Sequence, residues 1–373
     1  MIVGVLGGGQ LGRMLALAGH PLGLTFRFLD PSPEAPVRDL GDLVAARWDD
    51  EGAAAGFARG LDVLTYELEH VPMATARALA CRVPTFPPPA ALEAAQDRLT
   101  EKTLFEKLGI PTAPFSAVET RAELGSALAR LGAPAVVKTR RLGYDGKGQA
   151  VIRTPAEADV AWDRLGGGPL LVEGLVPFDR ELSLLAVRSR AGAFAFYPLV
   201  ENEHRGGILR LSRVPAPGSS AGLQARAEHL ARRILEALEY VGVLAVELFQ
   251  VGDRLLANEM APRVHNSGHW TIEGAVTSQF ENHIRAILGW PLGTAAARGP
   301  SAMLNLIGTT PDPAAVLAVP GAHLHLYGKA ERAGRKLGHI TVTADRPAEL
   351  ERHLRTLRPL AGLAPDERHA CAR

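Results

Sequence analysis

The chain has 373 residues, of which 47% are apolar, and a formal net charge of +1. That length allows two or three domains with full hydrophobic cores, and the composition excludes intrinsic disorder and a basic nucleic-acid footprint. Two cysteines, Cys81 and Cys371, exclude a disulfide framework and a cysteine zinc site; no apolar run nears the ~18 residues of a membrane span, and the N-terminus enters a strand without a basic leader, so a cytoplasmic protein with no membrane partner is expected.

Strand and helix alternate at first. The pattern predicts a strand over 2–6, a glycine turn, a helix over 10–18, a strand over 24–29, another over 62–66 and a helix over 73–80. Such alternation reads as a parallel α/β layer. The run Thr85-Phe-Pro-Pro-Pro-Ala breaks it and puts a first boundary near residue 95. From 96 to 295 helices and strands mix, with glycine turns between them. A Pro- and Ala-rich passage over 290–300 marks a second boundary, and 296–373 reads as a small strand-rich module.

Residues 7–12, Gly-Gly-Gly-Gln-Leu-Gly, satisfy G-x-G-x-x-G between a strand and a helix, and Asp30 ends the next strand. Amides and a helix N-terminus at such a turn can cradle a phosphate. A phosphate-bearing small molecule on this turn is the functional reading; nicotinamide binding and a purely structural turn are the alternatives.

Arginine makes up 35 of the 41 basic residues, so each of the six lysines stands out. Ala135-Val-Val-Lys138 is a buried-strand pattern that delivers one ammonium to a cleft. The loop Gly143-Tyr144-Asp145-Gly146-Lys147-Gly148-Gln149 is flexible enough to fold over phosphates, with Lys147 adding charge. Leu170-Leu-Val-Glu173 is a strand ending in an acid, and Glu181 follows in a polar–apolar run. Further on, Glu247 and Glu259 lie on neighbouring extended segments joined by the turn Val251-Gly252-Asp253-Arg254. Two acids so placed can hold Mg²⁺, which takes oxygen ligands and is commonly shared with substrate phosphates.

Five runs together carry a family resemblance: 7–14 (Gly-Gly-Gly-Gln-Leu-Gly-Arg-Met), 97–102 (Asp-Arg-Leu-Thr-Glu-Lys), 143–149, 258–270 (Asn-Glu-Met-Ala-Pro-Arg-Val-His-Asn-Ser-Gly-His-Trp) and 334–339 (Gly-Arg-Lys-Leu-Gly-His). On these the chain resembles the ATP-grasp superfamily and, within it, the N5-carboxyaminoimidazole ribonucleotide synthetases. The resemblance implies a mixed α/β ATP-grasp architecture: an N-terminal Rossmann-like domain (1–95), a central ATP-grasp domain (96–295) and a small β-rich C-terminal domain (296–373). It further implies ATP-dependent carboxylation of 5-aminoimidazole ribonucleotide (AIR) with bicarbonate through carboxyphosphate, in purine biosynthesis, by a homodimer using Mg²⁺ with Mn²⁺ as a substitute.

Roles carry over by position. Lys138 and Arg98 resemble ligands of the ATP phosphates under the lid formed by Gly143, Tyr144, Asp145, Gly146, Lys147, Gly148 and Gln149. Glu173 and the backbone near Val176 are expected at adenine, Glu181 at the ribose, and His204 on the nucleotide side. Glu247 and Glu259 are the expected metal acids, with Asn258 beside them. Arg263, together with Lys138, is the expected catalytic cation, neutralising the transferring phosphoryl or holding bicarbonate. For AIR the resemblance points to Gln10, Leu11, Glu67 or Glu69, Asn266, and a phosphate clamp of Lys329, Arg335 and Lys336. The family's usual Asn after the second acid is His70 here. Another ATP-grasp ligase, such as a formate-dependent purine transformylase, remains the alternative within the class; a nicotinamide oxidoreductase or a non-catalytic nucleotide-binding module would be a different one.

Overall fold

The computed structural model describes residues 1–143 and 146–364. Its first sheet is parallel, formed by strands Ile2–Leu6, Thr25–Asp30, Asp42–Ala45 and Val63–Tyr66. Ile2–Leu6 lies between Thr25–Asp30 and Val63–Tyr66, so the chain order reverses beside it. In open parallel sheets, ligands collect outside the carboxyl ends of the strands at such a reversal. The turn 7–9 and the acids Glu67 and Glu69 follow the two strands that flank it. Strand Asp42–Ala45 and helix Glu51–Ala58 carry too little apolar patterning to be read from the sequence, and packing against their neighbours creates them.

Helix Gln10–Gly19 and helix Met73–Ala80 form where the apolar periodicity places them. The first buries Leu11, Met14 and Leu15 in a core shared with Phe280, Ile284 and Ile287 of helix Gln279–Leu288. The N-terminal layer is thereby fixed to the middle of the chain by ordinary apolar burial, roughly 1.5–3 kcal/mol for each large side chain.

Two antiparallel sheets make up the middle section. A four-stranded one, with Phe115–Val118, Leu170–Gly174, Ala135–Thr139 and Gln149–Ile152 in that order across the sheet, packs one face on helices Arg121–Leu131 and Ala158–Arg164. Alternation along Ala135–Thr139 turns Ala135 and Val137 into that core and leaves Lys138 on the opposite face. The larger sheet has nine strands and includes Arg180–Arg188, Gly242–Val251 and Arg254–Ala261. It continues without a break past residue 296, because Ile208–Val214 pairs with Ser301–Ile307, which pairs with Lys336–Thr343. The last section therefore extends the central sheet, while keeping an apolar core of its own under helix Pro347–Leu360.

Candidate functional site

A cleft of about 420 Å³ opens where the three sheets meet. Its floor is the hairpin of Gly242–Val251 and Arg254–Ala261. Gly252, at φ +56°, begins the two-residue turn between the strands, where a positive φ suits glycine. Glu247 and Glu259 are direct cross-strand partners, whereas Leu248 pairs with Ala257, so Asn258 is the extra residue of a bulge. A bulge re-aims the side chains beside it. All three residues line the cleft, and the Oδ1 of Asn258 is buried without a hydrogen-bond partner.

Like charges directly opposed on a sheet repel, and the surroundings resolve the conflict by treating the two acids differently. Burial, and then the facing Glu259, push the Glu247 carboxyl up to about 7. Burial also pushes against Glu259, but Arg98, which donates to it at 2.7 Å, and Lys138 draw it down to about 2. His265 Nε2 lies 3.3 Å from Glu247, and its Nδ1 accepts from the Ser267 amide at 3.3 Å, which fixes the Nε2–H tautomer. Burial, with Arg263 nearby, lowers His265 to about 3, so the ring is neutral.

Lys138, Arg98 and Arg263 are each held by a carboxylate. Lys138 Nζ donates to Glu173 at 2.8 Å, and Lys102 Nζ approaches the other oxygen of the same carboxylate at 3.6 Å. Glu173 is 3% exposed and lies off the cleft wall. The carboxylate turns inward as the counter-ion of two lysines. Burial alone would raise it, but Lys138 and then Lys102 bring it below the ordinary range. Arg263 Nη2 meets Glu69 at 2.8 Å, bridging the loop after Val63–Tyr66 to the segment 262–270. Glu181 and His204 are bonded to each other on the nine-stranded sheet, and burial, which lowers the imidazole, is overcome by Glu181, which raises it.

In the N-terminal glycine turn, three backbone amides are bonded to carboxylates of the chain. The Gly9 and Gly12 amides donate to the two oxygens of Glu67 at 2.9 and 3.2 Å, and the Gly8 amide donates to Asp30 at 2.8 Å. The chain's own carboxylates thus take the amides of Gly8, Gly9 and Gly12. A Cβ on Gly9 would sit 2.6 Å from Glu67 Oε1, so glycine is required by the approach of that carboxylate. Glu67 is raised by its burial against these amide bonds and still lines the cleft, beside Gln10 and Leu11. Gln10 accepts from Lys329 Nζ, and burial lowers that lysine to about 8.

Among the remaining expected residues, Gly143, Gly146, Gln149, Asn266 and Lys336 also line the cleft. Both side-chain polar atoms of Asn266 are buried without partners. Val176, Lys147, Gly148 and Arg335 lie off its wall, and Arg335 donates to the Ala330 carbonyl at 3.2 Å. Tyr144 and Asp145 fall outside the described residues. His70 lines the cleft as well. Besides His70, three ionisable lining residues were not among those expected: Glu101, Arg140 and His265. Their positions inside or beside the singled-out runs were the available signal.

A lysine on an antiparallel sheet, two opposed acids on a hairpin and residues of a glycine-rich segment share this cleft, an arrangement fit for an ATP-grasp enzyme. Three family models fit the chain in sequence: the ribonucleotide synthetase preATP-grasp domain over residues 1–96, the ATP-grasp domain over 103–280, and the phosphoribosylaminoimidazole carboxylase C-terminal domain over 301–353. An N5-carboxyaminoimidazole ribonucleotide synthase of Pseudomonas aeruginosa is 54% identical over 93% of this chain and 96% of its own. Among solved structures, the N5-carboxyaminoimidazole ribonucleotide synthetase of Thermus thermophilus superposes with a TM-score of 0.95 at 62% identity, covering 98% of this chain and 100% of its own. The Aspergillus clavatus enzyme in complex with ADP and 5-aminoimidazole ribonucleotide superposes with a TM-score of 0.91 at 34% identity, over 97% and 98%. The chain belongs to the N5-carboxyaminoimidazole ribonucleotide synthase family, ligases of purine biosynthesis that carboxylate AIR at the expense of ATP.

Proposed function

We propose that this cleft joins bicarbonate to the exocyclic amine of AIR, using ATP to make carboxyphosphate first, and that the residues described above divide the work. The observation that carries the assignment is the convergence of Lys138, Arg98 and Arg263 on the opposed acids Glu247 and Glu259 in one cleft. Bicarbonate is a poor electrophile, and phosphorylation converts its hydroxyl into a leaving group. Phosphoryl transfer asks mainly for positioning and for neutralisation of oxygen charge.

Lys138, oriented by Glu173, and Arg98 neutralise the ATP phosphates. Arg263, oriented by Glu69, faces the bicarbonate-derived group with a planar fork suited to carboxylate and phosphate oxygens. The loop 143–149 closes over a labile intermediate and excludes water. Its approach is supported by Gly146, which packs against the turn at Gly206. Glu181 and His204 serve the nucleotide side, with the backbone near Val176 at the adenine. Gln10, Leu11, Glu67, Asn266 and Lys336 face AIR, while Lys329 and Arg335 complete its phosphate clamp.

The donor set fits a hard divalent cation. Glu247 and Glu259 present oxygens to one space, and Asn258 adds an otherwise orphaned one. Two carboxylates and one amide oxygen leave positions for phosphate oxygens, the ligands Mg²⁺ commonly shares with a substrate. Bound there, Mg²⁺ or Mn²⁺ would neutralise phosphate charge. A homodimer in the cytoplasm is the setting the family resemblance implies; no helix among the described residues is long and apolar enough to cross a membrane.

Release of ADP, measured with bicarbonate and AIR each omitted in turn, tests the assignment. Dependence on both is expected. Turnover with formate in place of bicarbonate, or ADP release indifferent to AIR, would overturn it.

A further inference from the structure

Two residues of the run 97–102 take no part in the roles above. Glu101 and Lys102 are 2% and 1% exposed on helix Arg98–Lys107. Burying ionisable side chains is costly unless partners hold them, so the partners are informative. Two of them, Met260 and Ala257, lie on strand Arg254–Ala261. Glu101 Oε1 accepts from the Met260 amide at 2.6 Å, immediately after Glu259. Lys102 Nζ donates to the Ala257 carbonyl at 3.3 Å and to the Thr112 hydroxyl at 2.8 Å, and that hydroxyl donates to the same carbonyl at 2.8 Å.

These anchor points bracket Asn258 and Glu259, the segment where regular pairing with Gly242–Val251 is interrupted by the bulge. A bulged strand has lost part of the ladder that would fix its side chains. Arg98, three residues before Glu101 on the same helix, holds the Glu259 carboxylate itself. The i, i+3, i+4 spacing places Arg98, Glu101 and Lys102 on one helix face, which therefore grips the strand at consecutive points. Lys102 also reaches Glu173, the partner of Lys138.

We propose that Glu101 and Lys102 are positioning residues for ATP and metal binding. Through the Met260 amide and the Ala257 carbonyl they brace the bulged segment that carries Asn258 and Glu259. Through Glu173, Lys102 ties that segment to the phosphate-side Lys138. This inference rests on the reading of Glu247 and Glu259 as the metal acids. It gives the 97–102 run a purpose beyond Arg98: one helix sets the spacing between the acids and the lysine. Partners of metal-binding residues commonly affect affinity by about 10–100-fold, without touching the metal.

The test compares Glu101→Ala, Glu101→Gln and Lys102→Met by Mn²⁺ titration in the presence of ADP, followed by electron paramagnetic resonance, and by steady-state kinetics. Glu101→Ala is expected to bind Mn²⁺ about tenfold or more weakly, with lower kcat and an unchanged KM for AIR. Glu101→Gln keeps an oxygen for the Met260 amide and is expected to recover most of the affinity that alanine loses. Lys102→Met is expected to weaken Mn²⁺ binding and to raise KM for ATP. Unchanged affinity in Glu101→Ala overturns the proposal, as does a glutamine variant no better than alanine. If alanine prevents folding, Lys102→Met decides: weaker Mn²⁺ binding supports the brace, and unchanged affinity overturns it. Glu259→Gln is the control: if it leaves Mn²⁺ affinity intact, the metal reading fails, whereas loss there without loss in Glu101→Ala rejects the brace alone.

Discussion

Glu247 and Glu259 face each other as direct partners across an antiparallel hairpin, yet their carboxyls are driven apart, one up to about 7 and the other down to about 2. The asymmetry comes from Arg98 and Lys138, which stand on the Glu259 side. A sheet with no functional demand would not keep this pairing, because apolar or opposite-charge partners would be more stable there.

Replacement of Glu259 by glutamine should abolish turnover while leaving the fold in place. The substitution removes one charge of an opposed pair, so the hairpin loses little, although Arg98 loses its counter-ion. ADP release and circular dichroism check this. Normal turnover by the folded variant would show that the acid has no part in the reaction.

Glu173→Ala should damage stability more than any substitution of an exposed acid. It strands Lys138 and Lys102, whose side chains are 9% and 1% exposed, without their shared partner. Breaking a buried ion pair on one side costs about 3–5 kcal/mol. A lower denaturant midpoint would bear this out, and an unshifted midpoint would contradict the buried-pair account.

Arg263→Lys should lower kcat by about 10²-fold or more, on the scale of losing an aligned charge-stabilising donor, while KM for ATP changes little. Lysine keeps the charge but cannot span Glu69 and the reacting group with a planar fork. Glu69→Ala should reproduce part of the loss, because Arg263 is then no longer oriented. Steady-state kinetics of both variants test the pairing; full activity in Glu69→Ala would mean that Arg263 is held by other means.

AIR binding should weaken as pH rises through about 8, the value to which burial lowers Lys329. The protonated form prevails below that pH and can meet the substrate phosphate; above it the ammonium loses its proton and the attraction disappears. The expected signature is a KM for AIR that climbs above pH 8, and Lys329→Met should flatten that rise. An equal climb in the methionine variant would assign it to another group.

Much of the site could be read from residue order because its parts are local. The hairpin with its two acids and the strand that delivers Lys138 are each set by a few consecutive residues whose apolar alternation and turn chemistry fix their geometry. The counter-ions of the lysines and arginines could not be read in this way. Glu173 resembles a strand-end acid in sequence, and its inward direction depends on Lys102 approaching from a helix some seventy residues earlier.

The sequence alone determined the alternating α/β start, the spacing of the two opposed acids Glu247 and Glu259 and the set of motifs that define the family. Tertiary structure decided which carboxylate neutralises which cation, and it gave the Gly8, Gly9 and Gly12 amides of the glycine turn to Asp30 and Glu67. It also joined the last section to the central sheet. The physical reason is range: propensity and periodicity act over neighbouring residues, whereas charge pairing and burial act between groups that only the folded chain brings within a few ångströms.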